Sequence, residues 1–228
     1  MKQIYMIFFL LPVLLNAYTF SGGKDNVAQL IASKVLEKAY TRAEIKIKPI
    51  FLPPQESLEQ SNTGITDGEL ARIKNITKLY PNLRQVPVQI VSVEAVAFSK
   101  DTSLKIQSWN DLRGHSVTII KGAKFIEIGT KNIPRKLVLS FHEAFEALHN
   151  GETDIVVAPK LAGIRLNFKK EYTDIKAISP ALQKKALYHF VHKKNSHLIP
   201  IITPILQKMK ESGEIEYIGK AYLRGIAK

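Results

Sequence analysis

ESLEQSNTGITDGEL (Glu56–Leu70) and EAFEALHNGETDIVV (Glu143–Val157) are two writings of one pattern. At an offset of 87 residues Glu56 falls on Glu143, Glu59 on Glu146, Gly64 on Gly151, Thr66 on Thr153 and Asp67 on Asp154. The flanks repeat too. IKIKPIFL (Ile45–Leu52) precedes the first copy and RKLVL (Arg135–Leu139) the second, and both have strand character. Within each copy a helix should follow, the second opened by Ser140 with Glu143 three residues on, the spacing of a capping box. Gly64 and Gly151 stand where such helices stop, because glycine carries no Cβ penalty in the left-handed position. Thr-Asp then leads into another strand, clearest in DIVVA. Each copy therefore predicts a strand, helix, strand unit, whose short loops make the two strands parallel with a right-handed crossover.

The chain around the repeat is of ordinary globular composition, with 228 residues, 45% hydrophobic and 23% charged. The N-terminal MKQIYMIFFLLPVLLNA reads as a secretory signal peptide, residues 1–17, cleaved after Ala17; the apolar run is shorter than the roughly 20 residues of a membrane span. The expected location is the periplasm. There is no cysteine, so neither a disulfide nor a lipid-modified tether is available to the mature chain. Net charge is +13, which suggests an anionic ligand or surface. The lysines and arginines are scattered as singles and pairs, without the dense basic run of a nucleic-acid arm.

Between and after the copies, SVEAVAFSKDTSL (Ser92–Leu104) and ALYHFVHKKNSHL (Ala186–Leu198) are alternating strands that end in basic turns, a design suited to two crossings between lobes. The middle region has its own α/β order: SWNDLRG, HSVTIIKGA, a helix start at FIEIG, then the second copy and KLAGIRLNFKK. After the second crossing, LIPIITPILQKMKESGEIEYI predicts one helix with Ile202, Ile205, Leu206 and Met209 on its apolar face, packed on the first lobe.

In this order SLEQSNTGITDGELARI, YPNLRQVPVQIVSVEAVAFSKD, WNDLRGHSVTIIKGAKF and ALHNGETDIVVAP resemble the bacterial periplasmic solute-binding proteins of extracellular family 3, which include the amino-acid-binding components of ABC importers. The resemblance implies an α/β fold of two lobes, the type II periplasmic-binding-protein fold, each lobe a small sheet flanked by helices. Two strand crossings would form the hinge, residues 18–98 plus 190–228 the first lobe and 99–189 the second. It further implies a monomer that closes on a small-molecule ligand, with a membrane permease or a membrane sensor as partner, no cofactor and no nucleic acid.

In parallel α/β lobes a ligand lies outside the carboxyl ends of the strands. By position, Ser21 and Gly22, Glu69 and Arg72, Lys121, Gly122 and Lys124, and Lys160 after Pro159 would face it. Arg72 stands out, because a guanidinium fork can pair two carboxylate oxygens; its bland alternative is a solvated or lobe-bridging arginine. The sequence departs from the family's amino-acid grip. Pro159 stands where an acid usually receives the ligand's amino group, Tyr80 where an arginine follows Thr77 by three, Gly122-Ala123 where glycine–threonine is common, and Glu56 where one subgroup has arginine. These departures, with the charge surplus, lead to the expectation of an anionic ligand. Asp67 and Asp154 read as structural acceptors for loop N–H groups.

Enzyme chemistry has little foothold. No G-x-S-x-G elbow or P-loop occurs, and HEAFE at His142 has Glu146 where a zinc protease needs histidine. His142 with His149, and His189, His192 and His197, read as surface histidines rather than a metal set. One alternative on the same fold is a dehydratase acting on cyclic acids, with Glu69 as acid or base beside Arg72; another is a ligand sensor for a membrane receptor.

Overall fold

The computed structural model describes residues 17–163 and 172–226; the expected signal peptide lies almost wholly outside them, as does most of the helix expected at KLAGIRLNFKK. No helix among the described residues is long and apolar enough to cross a membrane.

Among the described residues eight strands form one sheet: β1 (Tyr18–Gly23), β2 (Ile47–Leu52), β3 (Gly68–Ile73), β4 (Leu83–Ser99), β5 (Val117–Ile120), β6 (Lys136–Val138), β7 (Ile155–Pro159) and β8 (Lys176–His192). Their spatial order is β2-β1-β3-β8-β4-β7-β5-β6. The repeat is visible in that order. Its first copy supplies β2 and β3 on either side of β1, its second β6 and β7 on either side of β5, and all four pairings are parallel. Each half thus buries a central strand that the repeat flanks but does not contain.

The helices that lie wholly among the described residues include α1 (Val27–Arg42), α2 (Pro54–Thr63), α3 (Lys124–Gly129), α4 (Phe141–His149), α5 (Leu198–Glu211) and α6 (Glu214–Ile226). In the two copies α2 and α4 end as expected, with Gly64 at φ 81° and Gly151 at φ 76°. At α4 the Ser140 hydroxyl accepts from the Glu143 N–H, while the Glu143 carboxylate reaches back to the Leu139 N–H. Asp67 and Asp154 play matching parts: Asp67 accepts from the Thr19 N–H at 2.8 Å and Asp154 from the Ser116 N–H at 2.8 Å. Each ties the end of one copy to the central strand of its half.

Two expectations change. The crossing strands β4 and β8 are 17 residues each and begin about ten residues before the stretches read as crossings. They pair antiparallel from Leu83↔His192 to Ser99↔Lys176, while β3 joins β8 and β7 joins β4. KAISPALQKK, the first part of β8, is largely polar and contains Pro180, which cannot donate to a ladder; pairing there jumps from Ala95↔Gln183 to Ala97↔Ile178. The single C-terminal helix is two: Gly213, at φ 75°, divides α5 from α6. Ile202, Leu206 and Met209 of α5 are buried in the core with α1, as the apolar face required.

One core joins α1, α5 and one face of the sheet, and it buries Val27, Ile31, Val35 and Leu36 of α1 against Val86, Val88 and Ile90 of β4. Each such side chain contributes about 1.5–3 kcal/mol on burial. A second cluster seats Phe141, Phe145 and Leu148 of α4 on Val156 and Ala158 of β7.

Candidate functional site

The carboxyl ends of the parallel strands from both halves converge on a narrow cleft with a free volume of about 40 Å3. Gly23 ends β1, Ala71, Arg72 and Ile73 come from β3, Gly122, Ala123 and Lys124 follow β5, and Pro159 closes β7. Val93 and Leu187 of the crossing strands also line it, with Phe125 and Phe141 from the second half and Ile76 from the first. The lining is mostly apolar. Its polar members are Asn26, Gln29, Arg72 and Lys124, and no aspartate or glutamate is among them.

Arg72 is 8% exposed and spans the two halves. A register shift of the β3–β8 ladder between Glu69 and Arg72 sets both side chains on one side. The guanidinium donates Nε–H to Glu69 Oε2 at 2.7 Å, and through Nη2 to Glu69 Oε1 at 3.3 Å and the Pro54 carbonyl at 3.1 Å. Nη1 has a 3.4 Å contact to the carbonyl of Gly122 across the cleft. The lobe-bridging reading of this arginine is therefore part of its role, and Nη1 retains donor capacity toward the cleft.

Glu69 is fully buried and does not line the cleft. Besides Arg72 it accepts from Ser57 Oγ at 2.6 Å and Ser61 Oγ at 3.2 Å, so its acceptor sites are turned inward. The dehydratase alternative, which needs Glu69 against a substrate, finds no geometry here. Ser21 is also buried, with its hydroxyl among Thr66 Oγ1 at 3.1 Å and the carbonyls of Ser57 and Gly68 at 3.3 Å. Gly22 lies beneath Gln29, where an added Cβ would come within 2.8 Å of Gln29 Oε1 and of Leu70.

In the second half, Gly122 at φ 89° packs against the start of α2, where a Cβ would sit 2.4 Å from the Gln55 nitrogen. Its N–H donates to Glu127 Oε1 at 2.6 Å, and the other oxygen of Glu127 takes Lys124 Nζ at 2.8 Å. Lys121 is exposed and outside the cleft lining. Lys160 lies in an adjoining depression, 3.6 Å from Glu94, which is equally distant from Lys184. Of the eight expected residues the structure thus brings Arg72, Gly122 and Lys124 together in the cleft wall. Both cations there carry their own carboxylate, so the chain's basic surplus does not make the cleft a free positive pocket, and the anionic ligand loses that support.

Two parts of the arrangement were not legible as site or core. Gln29, three residues into α1, lines the cleft; its signal in the sequence is a polar residue between Ala28 and Ile31 on the buried face. His189, read as a surface histidine, is fully buried: Nδ1–H donates to the Glu69 carbonyl at 2.8 Å and Nε2 accepts from the Tyr40 hydroxyl at 2.9 Å. Burial pushes its pKa down to about 4. Asp67 and Asp154 are held below the usual carboxylate range. At Asp67 burial opposes this and is outweighed by hydrogen bonds from Thr19, Asn195 and Lys194; at Asp154 the Ser116 hydroxyl and N–H are the causes.

No protein-family model matches the chain, and no curated protein is similar to it. Its fold does match solved structures. A histidine kinase sensor domain with similarity to periplasmic binding proteins superposes with TM-score 0.77 at 15% identity, over 91% of this chain and 96% of that one. A mutant of the arginine-binding protein ArgBP from T. maritima gives 0.74 at 17% identity, over 91% and 95%. The amino-acid ABC transporter substrate-binding protein AbpA from Streptococcus pneumoniae, bound to L-arginine, gives 0.74 at 14%, over 93% and 96%. With its paired parallel units, its two crossing strands and its cleft between strand ends, the chain has the two-lobed fold of the periplasmic binding proteins.

Proposed function

We propose that this protein is an exported solute-binding protein that captures a small solute between its lobes and hands it to the permease of an ABC importer. The observation that carries the reading is the cleft itself. It is mostly apolar, it sits at the strand ends of both halves, and Arg72 reaches across it to Gly122. The solute has an acceptor, a carboxylate in the anionic form of this reading, for Nη1 of Arg72. The protein works as a monomer without a cofactor, in the periplasm, its lobes hinging where β4 and β8 pass from one half to the other.

A second reading has specific support in the sensor domain of a histidine kinase, whose fold superposes on 91% of this chain. In that reading the same closure reports a solute to a membrane receptor instead of delivering it.

A thermal-shift screen of amino acids, organic acids, amides and sugars tests the common core of both. A true ligand at 100 times its dissociation constant adds about 2.7 kcal/mol of stability. A library in which nothing raises the melting temperature would overturn the solute-binding reading. Deletion of the gene then separates the two: loss of uptake of the identified solute supports import, and intact uptake with a lost transcriptional response supports sensing.

A further inference from the structure

The cleft is not the roomiest space in the molecule. A groove of about 610 Å3 lies between α6, α1 and the crossing strand β4, and it shares no lining residue with the cleft. Small-molecule sites occupy about 300–1,000 Å3. Ile31 of α1, Ile90 and Val91 of β4, Leu161, and Ile215 and Leu223 of α6 give the groove an apolar lining. The β4–β8 register shifts on both sides of Gln89, so the strand is bulged along this wall.

The helix that borders the groove leaves it open. Ile215, Ile218, Tyr222 and Leu223 make one apolar face of α6, yet no residue from 214 to 225 is buried. Gly219 stands in the middle of that face and lines the groove. Glycine inside a helix is unfavourable relative to alanine, and here neither a positive φ nor crowding asks for it. A Cβ would meet only Ile31 Cγ2, at 3.7 Å. The glycine therefore adds room to the groove at a cost to the helix.

The rim is basic. Lys184 of β8, Lys210 of α5 and Lys220 of α6 line the groove against a single acid, Glu216. Glu216 is paired with Lys220 at 2.7 Å, Lys184 shares Glu94 with Lys160 at 3.6 Å, and Lys210 has no ion pair among the described residues. An apolar trough with unbalanced cations at its rim complements a molecule that is apolar along its length and anionic at one end. A concave trough holds one chain, whereas a bilayer surface would meet only the rim.

We infer that this groove is a second ligand site, for a free single-chain amphiphile with an anionic head, a fatty-acid-like carboxylate. The chain lies on Ile31, Ile90, Ile215 and Leu223 over Gly219, and the head faces Lys210. The site goes beyond the solute-binding reading and does not depend on it.

Calorimetry of the mature protein with octanoate, decanoate and dodecanoate below their aggregation concentrations tests this, with dodecyltrimethylammonium and phosphatidylglycerol vesicles as comparisons. Affinity should rise about three- to fourfold with each added methylene, fall as salt is raised, and be at least about tenfold weaker for the ammonium amphiphile. Gly219→Leu fills the trough and favours the helix. It should melt at or above the wild-type temperature while its affinity for dodecanoate falls about tenfold or more. Lys210 is exposed, so Lys210→Gln leaves the fold alone; it should weaken dodecanoate about two- to fivefold and flatten the salt dependence. A solute of the cleft should bind Gly219→Leu as it binds the wild type, which separates the two sites. No binding of dodecanoate to the wild type, or equal affinity in Gly219→Leu, would overturn the inference. So would equal binding of the ammonium amphiphile, or binding to vesicles with none of the dissolved chains.

Discussion

At Arg72 and Glu69 the sequence suggested a free ligand fork, and the structure shows a buried ion pair that also serves the cleft. Glu69 is fully buried, so removing its partner leaves a carboxylate with only two serine donors. Arg72→Ala is therefore expected to destabilise the fold by about 3–5 kcal/mol, read as a fall in denaturation midpoint, and is a poor probe of binding. Arg72→Lys keeps the charge and loses the fork; it should weaken ligand binding about ten- to a hundredfold, measured by calorimetry. An unchanged affinity in Arg72→Lys would confine this arginine to a structural role. His189 gives a second expectation. Its pKa is about 4 in the fold against 6.5 ordinarily, so the unfolded chain binds the extra proton first as pH falls. Stability is whole above pH 6.5 and declines as pH drops toward 4, by about 3 kcal/mol from this residue alone. Asp67 and Asp154, with lowered pKa values, lose their share further down as pH falls through those values. Urea titrations at pH 7 and pH 4.5 on wild type and His189→Gln test this, the variant showing the smaller difference; equal differences would rule the histidine out as the source. None of this was readable in ALYHFVHKKNSHL, because alternation along β8 tells two faces apart but not which one another layer covers.

Among the elements, the repeat was legible because its two glycines answer a local need, positive φ after their helices, and such needs are written next to the residues that have them. The two aspartates were legible by their repetition, although the N–H groups they hold, of Thr19 and Ser116, lie 48 and 38 positions away. The loop after β5 is different, since Gly122 is needed for a distant reason: its φ of 89°, and the approach of Pro54 and Gln55 from the other half. Gly122→Val should therefore push α2 and the β5–α3 loop apart. Small-angle scattering should report a larger radius of gyration than the wild type has, and ligand affinity should fall, with helix content by circular dichroism unchanged. A variant as compact as the wild type would show that this contact does not set the lobe spacing. The break at Gly213 that splits α5 from α6 was missed because apolar periodicity continues across it.

For the whole molecule, the solute-binding reading has the two halves hinge at β4 and β8, with a solute held by both halves favouring the closed arrangement by its extra contacts there. Adding an identified ligand should compact the protein in solution; a scattering profile unchanged at saturation would count against closure. By itself the sequence determined the two α/β units, their parallel pairing, the helix stops and the absence of a disulfide framework. All of these follow from spacing, turn chemistry and composition within a few tens of residues. Only the tertiary structure decided that the repeat flanks a central strand in each half, that β8 reaches back through Pro180, and that Arg72 spends its fork on Glu69 and Pro54. It alone decided that Gln29 anchors its amide on the carbonyl of Ala71. The physical reason is that burial and hydrogen-bond satisfaction depend on partners brought from 40 to 150 positions away, such as Ala71 for Gln29 and His189 for Tyr40, and no local pattern encodes what will stand opposite a side chain when the halves meet.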